Sequence, residues 1–192
     1  MLSRTADHLF WMARYMERAE NTARILDVTY RLSLLPQNGQ EVEAMWAGML
    51  KIMELQDTFH AKHPAFTTEA VLEFMIFDRD NPGSIYRCLR ATRENAHAVR
   101  GTLTSELWET SNATWLKMRD FSMAKMMETG PGAFFEWVKY RSHLSRGVTI
   151  GTMLQDEALR FIRLGTFLER ADNTARILEV KYLNLLPGSE SD

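Results

Sequence analysis

Two stretches of this chain carry the same polar side chains in the same order. Glu17 to Tyr30 reads ERAENTARILDVTY, and Glu169 to Tyr182 reads ERADNTARILEVKY. Eleven of the fourteen positions are identical, and two of the others exchange only Asp and Glu. Repeats that merely pack keep their apolar pattern and let polar positions drift. Here Glu, Arg, Asn and a second Arg recur in register, which marks the polar face as a candidate site. At about 100° per residue, Glu17, Asn21 and Arg24 lie within roughly 40° of one line along a helix. Phe10, Ala13 and Val28 continue that line, so the polar stripe is bracketed by apolar residues and reads as a partly buried groove. Glu169, Asn173 and Arg176 repeat it, with Arg18 and Arg170 alongside. Two readings stand. In one, Arg grips a carboxylate or phosphate while Glu acts as a base or orients the ligand. In the other, the stripe is an intrahelical network, with Glu20 four residues before Arg24 and Glu17 bonding Asn21. Should the two helices meet about a local two-fold axis, the two sets would face one another.

A second cluster lies just ahead of the second copy. Lys139, Arg141, His143 and Arg146 crowd a stretch ending at Gly147, followed by Thr149, Gly151 and Thr152. Hydroxyls and glycines beside Arg and His would cradle an anion at the start of the next helix. The competing reading is a solvated basic helix end, with His143 bonding a carbonyl. A third group, Arg87, Arg90, Arg93 and Arg100, gives a basic helix whose charge answers acids such as Glu106 and Glu109.

Other chemistries find little support. A di-iron bundle wants two Glu-x-x-His pairs plus two further carboxylates, and only Glu94-Asn95-Ala96-His97 fits. No metal or cofactor is expected. Cys88 reads as a buried helix residue, and no serine sits in an elbow motif. The twelve methionines and five tryptophans read as core material.

The elements that must position these residues are helical. Leu9, Met12, Met16, Ala19, Ala23, Leu26 and Tyr30 alternate spacings of three and four, lining one side of a helix. Phe161, Leu164, Leu168, Ala171, Ala175, Leu178 and Tyr182 repeat that stripe. The central Ala pair in each would admit another helix closely. Ser3 is the expected N-cap of the first helix, and Pro36 with Asn38-Gly39 ends it. Further helices are expected from about Glu41 to His60, from Thr67 or Thr68 to Phe77, and from Arg87 to Arg100. Others run from about Thr104 to Met127, from Phe134 to about Val148, and onward from near Leu154. Asp78 to Ser84 is the strongest loop, with Ser84 capping the helix after it. No segment alternates with period two. The expectation is an all-α fold: an antiparallel bundle of about seven helices with an internally duplicated long helix.

Composition agrees with one domain. At 192 residues, with 45% apolar and 25% charged side chains, the chain can bury its own core. A net charge of −2 gives no general pull toward nucleic acid, and a single cysteine rules out an intrachain disulfide. Arg4 and Asp7 interrupt any signal-peptide core, and no apolar run reaches the roughly 18 residues of a membrane span. A cytoplasmic protein is expected. Residues 1–187 read as a single helical domain, with 1–150 as a first repeat unit and 154–187 as the opening helix of a second. Residues 188–192 read as a frayed tail.

LSRTADHLFWMARYMERAENTARILDVT, DNPGSIYRCLRATRENA and RSHLSRGVTIGTMLQDEALRFIRLGTFLERADNTARIL together resemble the bacterial alpha-E domain family. That resemblance implies an all-helical domain encoded beside an ATP-grasp carboxylate–amine ligase and a transglutaminase-like cysteine peptidase. It implies a peptide-forming or peptide-modifying pathway, and no settled enzymatic activity. The family's acidic helical motif maps onto Glu17 and Glu169. Family members are usually longer, and Ile150 and Leu159 stand where a polar or small residue and an aromatic are more usual. A helix lacking its partners would expose some of Leu164, Leu168, Leu178 and Tyr182. The expected remedy is to fold that helix onto the first unit or to form a homodimer.

Overall fold

The computed structural model describes the backbone of residues 1–185 and the side chains of residues 1–179. Tyr182 and the tail expected at 188–192 fall outside the residues whose side chains are described. Nine helices and no strand occur among the described residues. They are α1 (Ser3–Ser33), α2 (Gly39–Ile52), α3 (Gln56–His60), α4 (Thr68–Ile76) and α5 (Ile85–Ala98). α6 (Ser105–Met118), α7 (Met123–Thr129), α8 (Gly132–Thr152) and α9 (Glu157–Leu185) complete the order. None is long and apolar enough to cross a membrane.

Two breaks raise the count above seven. The helix expected from Glu41 to His60 stops at Ile52, where Glu54 turns left-handed at φ 56°. Glu54 N–H bonds the Lys51 carbonyl and Leu55 N–H the Leu50 carbonyl, which closes the helix end. Glycine usually occupies such a turn, and its absence hid the break. The helix expected from Thr104 to Met127 ends at Met118, and the Ser122 hydroxyl accepts from Lys125 N–H to start α7. Expected caps form at Thr67 and Ser84. Ser3 does not cap α1: it is the first helical residue, and Leu2 precedes it with no side-chain bond.

Contacts set the helix directions. His8 meets Asn95 and Met12 meets Thr92, so α5 runs antiparallel to α1. Glu20 meets Arg146 and Asp27 meets Lys139, which makes α8 antiparallel as well. Arg93–Asn112 and Arg141–Thr114 close the ring through α6. Four helices therefore form an antiparallel bundle. The second copy of the duplicated helix departs from that order. Ala13 packs at Gly165, Glu17 bonds Arg170 and Arg18 bonds Glu169, so α9 runs parallel to α1 at close to the motif's own offset.

Two clusters of buried side chains fill the molecule. The larger joins Leu26, Trp46, Phe59, Phe74, Met75, Leu89, Phe135 and Val138. The smaller joins Leu9, Met12 and Ala13 with Ala96, Leu107, Leu159 and Ile162 beneath α9. Full burial of each large apolar side chain contributes about 1.5–3 kcal/mol. The two copies of the apolar stripe differ in fate. Leu9, Met12, Met16, Ala19, Ala23 and Leu26 are buried, whereas Leu164, Leu168, Ala171, Ala175 and Leu178 are exposed. α9 meets α1 through another line, Ala158, Ile162, Gly165 and Glu169.

Candidate functional site

The line that α9 turns to α1 is the one bearing its glutamate. Gly165 makes the approach feasible: a β-carbon there would overlap the Phe10 carbonyl oxygen and sit 3.2 Å from the Ala13 β-carbon. The close approach of α9 thus rests on Ala13 and Gly165, while Ala19 and Ala23 are fully buried in the larger cluster and Ala171 and Ala175 are exposed.

One turn further on, the two motif copies exchange partners. Arg170 donates to Glu17 through Nε at 2.9 Å and Nη2 at 3.1 Å. Arg18 donates to Glu169 through Nε at 2.6 Å and Nη2 at 3.0 Å. Each pair is two-pronged, the strong geometry for guanidinium and carboxylate. The symmetry extends outward. The Arg18 guanidinium lies over Tyr15 and that of Arg170 over Phe167, each three residues earlier. Glu20–Arg24 and Asp172–Arg176 repeat one intrahelical pair.

Each glutamate also receives a second arginine, and here the symmetry ends. Glu17 takes Arg146 from α8 at 3.0 Å, and Glu169 takes Arg14 from α1 at 2.6 Å. Both glutamates are 4% exposed, so two buried carboxylates are held by four guanidiniums. Glu20 joins them: Arg146 bonds it at 2.6 Å and Arg24 at 2.7 Å. Burial pushes the Glu20 carboxyl up, but bonds from Arg146, Ser142 and Arg24 outweigh it and hold the pKa at about 2. Burial likewise opposes Asp27, yet Lys139 and Arg31 keep its pKa below the ordinary value.

The remaining candidates are distributed around this clamp. Arg24 turns away from Glu17 toward Glu20 and His143. His143 Nε2 lies 3.1 Å from Arg24 Nη2 and 3.3 Å from Glu20, so it meets side chains and not the expected carbonyl. Arg176 bonds Asp172 and Glu54. Asn21 and Asn173 face a recess of 320 Å³ closed by the Glu54 turn, with Arg18, Thr22 and Arg176 around it. Glu17 does not bond Asn21; Asn21 Nδ2 and the fully buried Thr22 Oγ1 have no partner among the described residues.

The expected anion cradle between the basic cluster and the second copy does not form. α8 continues through Gly147 and Gly151 to Thr152, and Thr149 and Thr152 donate back to the Ser145 and Val148 carbonyls. Asp156 already accepts from Ala158 and Leu159 N–H at the start of α9, so a carboxylate occupies the anion position. Arg141 points the other way, to Thr114 Oγ1 and the Thr110 carbonyl of α6. The basic helix α5 is answered by Glu94, Asn112 and the Trp108 ring rather than by Glu106 or Glu109. Cys88 is buried, and burial pushes its thiol up to about 12. No group of three or more His, Cys, Asp or Glu is placed to hold a metal ion among the described residues.

Comparison with known proteins supplies the family. Over residues 1–192 the chain matches Alpha-E, described as a predicted alpha-helical domain with a conserved ER motif, and it belongs to that family. Only two Glu-Arg dipeptides occur in the sequence, Glu17-Arg18 and Glu169-Arg170, the two that exchange partners. Uncharacterized proteins of Mycobacterium bovis and Mycobacterium tuberculosis are each 32% identical over 117 residues, 55% of this chain. The match spans 13% of the length of those relatives. No solved structure matches this chain.

Proposed function

We propose that this Alpha-E domain is a non-catalytic helical partner of an ATP-grasp carboxylate–amine ligase. It acts beside a transglutaminase-like peptidase in a cytoplasmic peptide-forming or peptide-modifying pathway. One observation carries the reading: both glutamates of the Glu-Arg dipeptides are already held. A general base needs a free lone pair within reach of a substrate proton. Glu17 and Glu169 instead each accept from two arginines at 2.6–3.1 Å. The motif's chemistry is directed inward, to joining α1 and α9. What it leaves outward is a face of α9 on which Leu164, Phe167, Leu168 and Leu178 are 46–62% exposed. Apolar faces of that kind suit a protein partner.

A second reading is favoured by the recess beside the clamp. Unpartnered Asn21 Nδ2 and Thr22 Oγ1 would be satisfied by a small polar ligand between Arg18 and Arg176.

The test mixes the purified domain with the ligase and the peptidase of the same genome and monitors assembly by light scattering. A one-to-one complex is expected with the ligase, broken by Leu164→Gln/Leu168→Gln/Leu178→Gln. No complex with either enzyme, or self-association of the domain through the same face, would overturn the reading.

A further inference from the structure

A groove of 260 Å³ lies between α8 and α9, on the opposite side of the clamp from the Asn21 recess. Its floor is apolar: Met12 and Met16 from α1, with Leu159 and Ile162 from α9. All four are at least nine-tenths buried, so the pit is built into the packing and is not a crease between mobile side chains. Ile150 and Phe167 flank the opening and are 69% and 53% exposed.

The rim is cationic. Arg146 lines the groove and uses only Nη1 on Glu17, Glu20 and Ser142. Its Nε and Nη2 have no partner among the described residues. Arg163 lies across from it on α9, exposed, with its guanidinium over the Phe167 ring and no ion pair among the described residues. Glu17 is the one carboxylate in the lining, and Arg170 together with Arg146 already holds it. Two guanidiniums therefore face one neutralised carboxylate. Ser145, Gln155 and Thr166 add hydrogen-bonding groups around the opening.

We propose that this groove binds the carboxylate end of an apolar molecule, its chain or ring in the Met12–Ile162 pit and its carboxylate at Arg146 and Arg163. The pit releases apolar surface from water, and the rim supplies planar donors suited to a carboxylate. A volume of 260 Å³ corresponds to roughly nine water volumes, which suits a chain of about eight carbons or one large apolar residue. A free aliphatic acid and the C-terminal residue of a peptide share this chemistry. The groove shares Phe167 with the proposed docking face but none of Leu164, Leu168 and Leu178, so the triple leucine variant that tests docking leaves the groove intact and either reading can fail alone.

Octanoate is the probe, and the methionine ε-methyl resonances of the folded chain are the readout. Met12 and Met16 line the pit, while Met75 is fully buried and lines no part of it, so it serves as the internal control. Titration with octanoate should shift Met12 and Met16 saturably and leave Met75 in place. Octanol should bind at least about tenfold more weakly, because its neutral hydroxyl forfeits the charge-assisted contacts to both guanidiniums. Arg163→Gln, at an exposed position outside the clamp, should reduce that preference, because Arg146 remains. Ser145→Phe, entering from a half-buried position on α8, should fill the groove and remove binding while helicity persists. A leucine-ended peptide with a free carboxylate, compared with its amide, then assigns the source. Competition by the acid alone indicates a peptide end, and no competition by either indicates a free acid. Absence of a saturable shift at Met12 and Met16, or equal binding of octanoate and octanol, would overturn the proposal.

Discussion

Glu17 and Arg170 meet across α1 and α9 through two hydrogen bonds, and Glu169 and Arg18 repeat the exchange in reverse. The adjacency of Glu and Arg in the dipeptide is explained by this geometry. Consecutive helical residues point roughly 100° apart, so a Glu-Arg pair at an interface sets an acid on one flank and a base on the other. A parallel copy rotated about a local two-fold axis brings base to acid on both flanks. One dipeptide, used twice, is self-complementary.

Gly165 sets how near the two copies come. Gly165→Ala should destabilise the protein by about 1–3 kcal/mol, because its methyl meets backbone, which cannot rotate away. Gly147→Ala, with open space around it on α8, should stabilise by about 0.5–1 kcal/mol. Urea denaturation of the two variants checks both signs. Equal and small effects would mean that α9 does not lie this close to α1.

Acid should weaken the clamp. The Glu20 pKa falls from an ordinary 4.5 to about 2 on folding, so its contribution is complete above about pH 4.5 and is lost as the pH drops toward 2. Asp27 shifts in the same direction and adds to the same window. The effect is on the order of 2 kcal/mol, given that Arg24 and Arg146 are partly solvated. Arg146→Gln should flatten the slope of stability against pH between 4.5 and 2. An unchanged slope would assign acid sensitivity to other carboxylates.

The outer face of α9 should tolerate polar residues. Leu164→Gln/Leu168→Gln/Leu178→Gln replaces side chains that are 46–62% exposed, so stability should change by less than about 0.5 kcal/mol per site. Binding of a hydrophobic dye should fall. A loss of several kcal/mol would show the face to be covered in solution.

Cys88 should be silent in the folded state. Burial holds its thiol near 12, so thiol reagents at pH 8 should label it only on unfolding. Fast native-state labelling would mean that α5 opens away from α1.

Much of this arrangement was legible in the residues. Periodicity, the Thr67 and Ser84 caps and the DRDNPGS loop place most helices, and the in-register duplication singles out the Glu17 and Glu169 faces. The break at Glu54 was hidden because a non-glycine residue fills a left-handed turn, closed by backbone hydrogen bonds from Glu54 and Leu55. The break before α7 did carry a signal, the N-cap-type residue Ser122, which the long run of helix-forming residues masked. The parallel direction of α9 could not be read locally. Nor could the different fates of the two apolar stripes: the same pattern is buried in α1 and exposed in α9, because neighbours decide burial. Arg14 and Arg146 as second partners of the glutamates lie far from the motif's internal symmetry. No spacing rule reaches them.

A double-mutant cycle with Glu17→Gln and Arg170→Gln, read by urea denaturation, tests the central claim most directly. An interhelical clamp requires a coupling of about 1 kcal/mol or more between residues 153 positions apart (17 and 170), with the mirror cycle at Arg18 and Glu169 behaving alike. Additive losses in both cycles, with no coupling, would contradict it and return the two glutamates to candidacy as free functional groups.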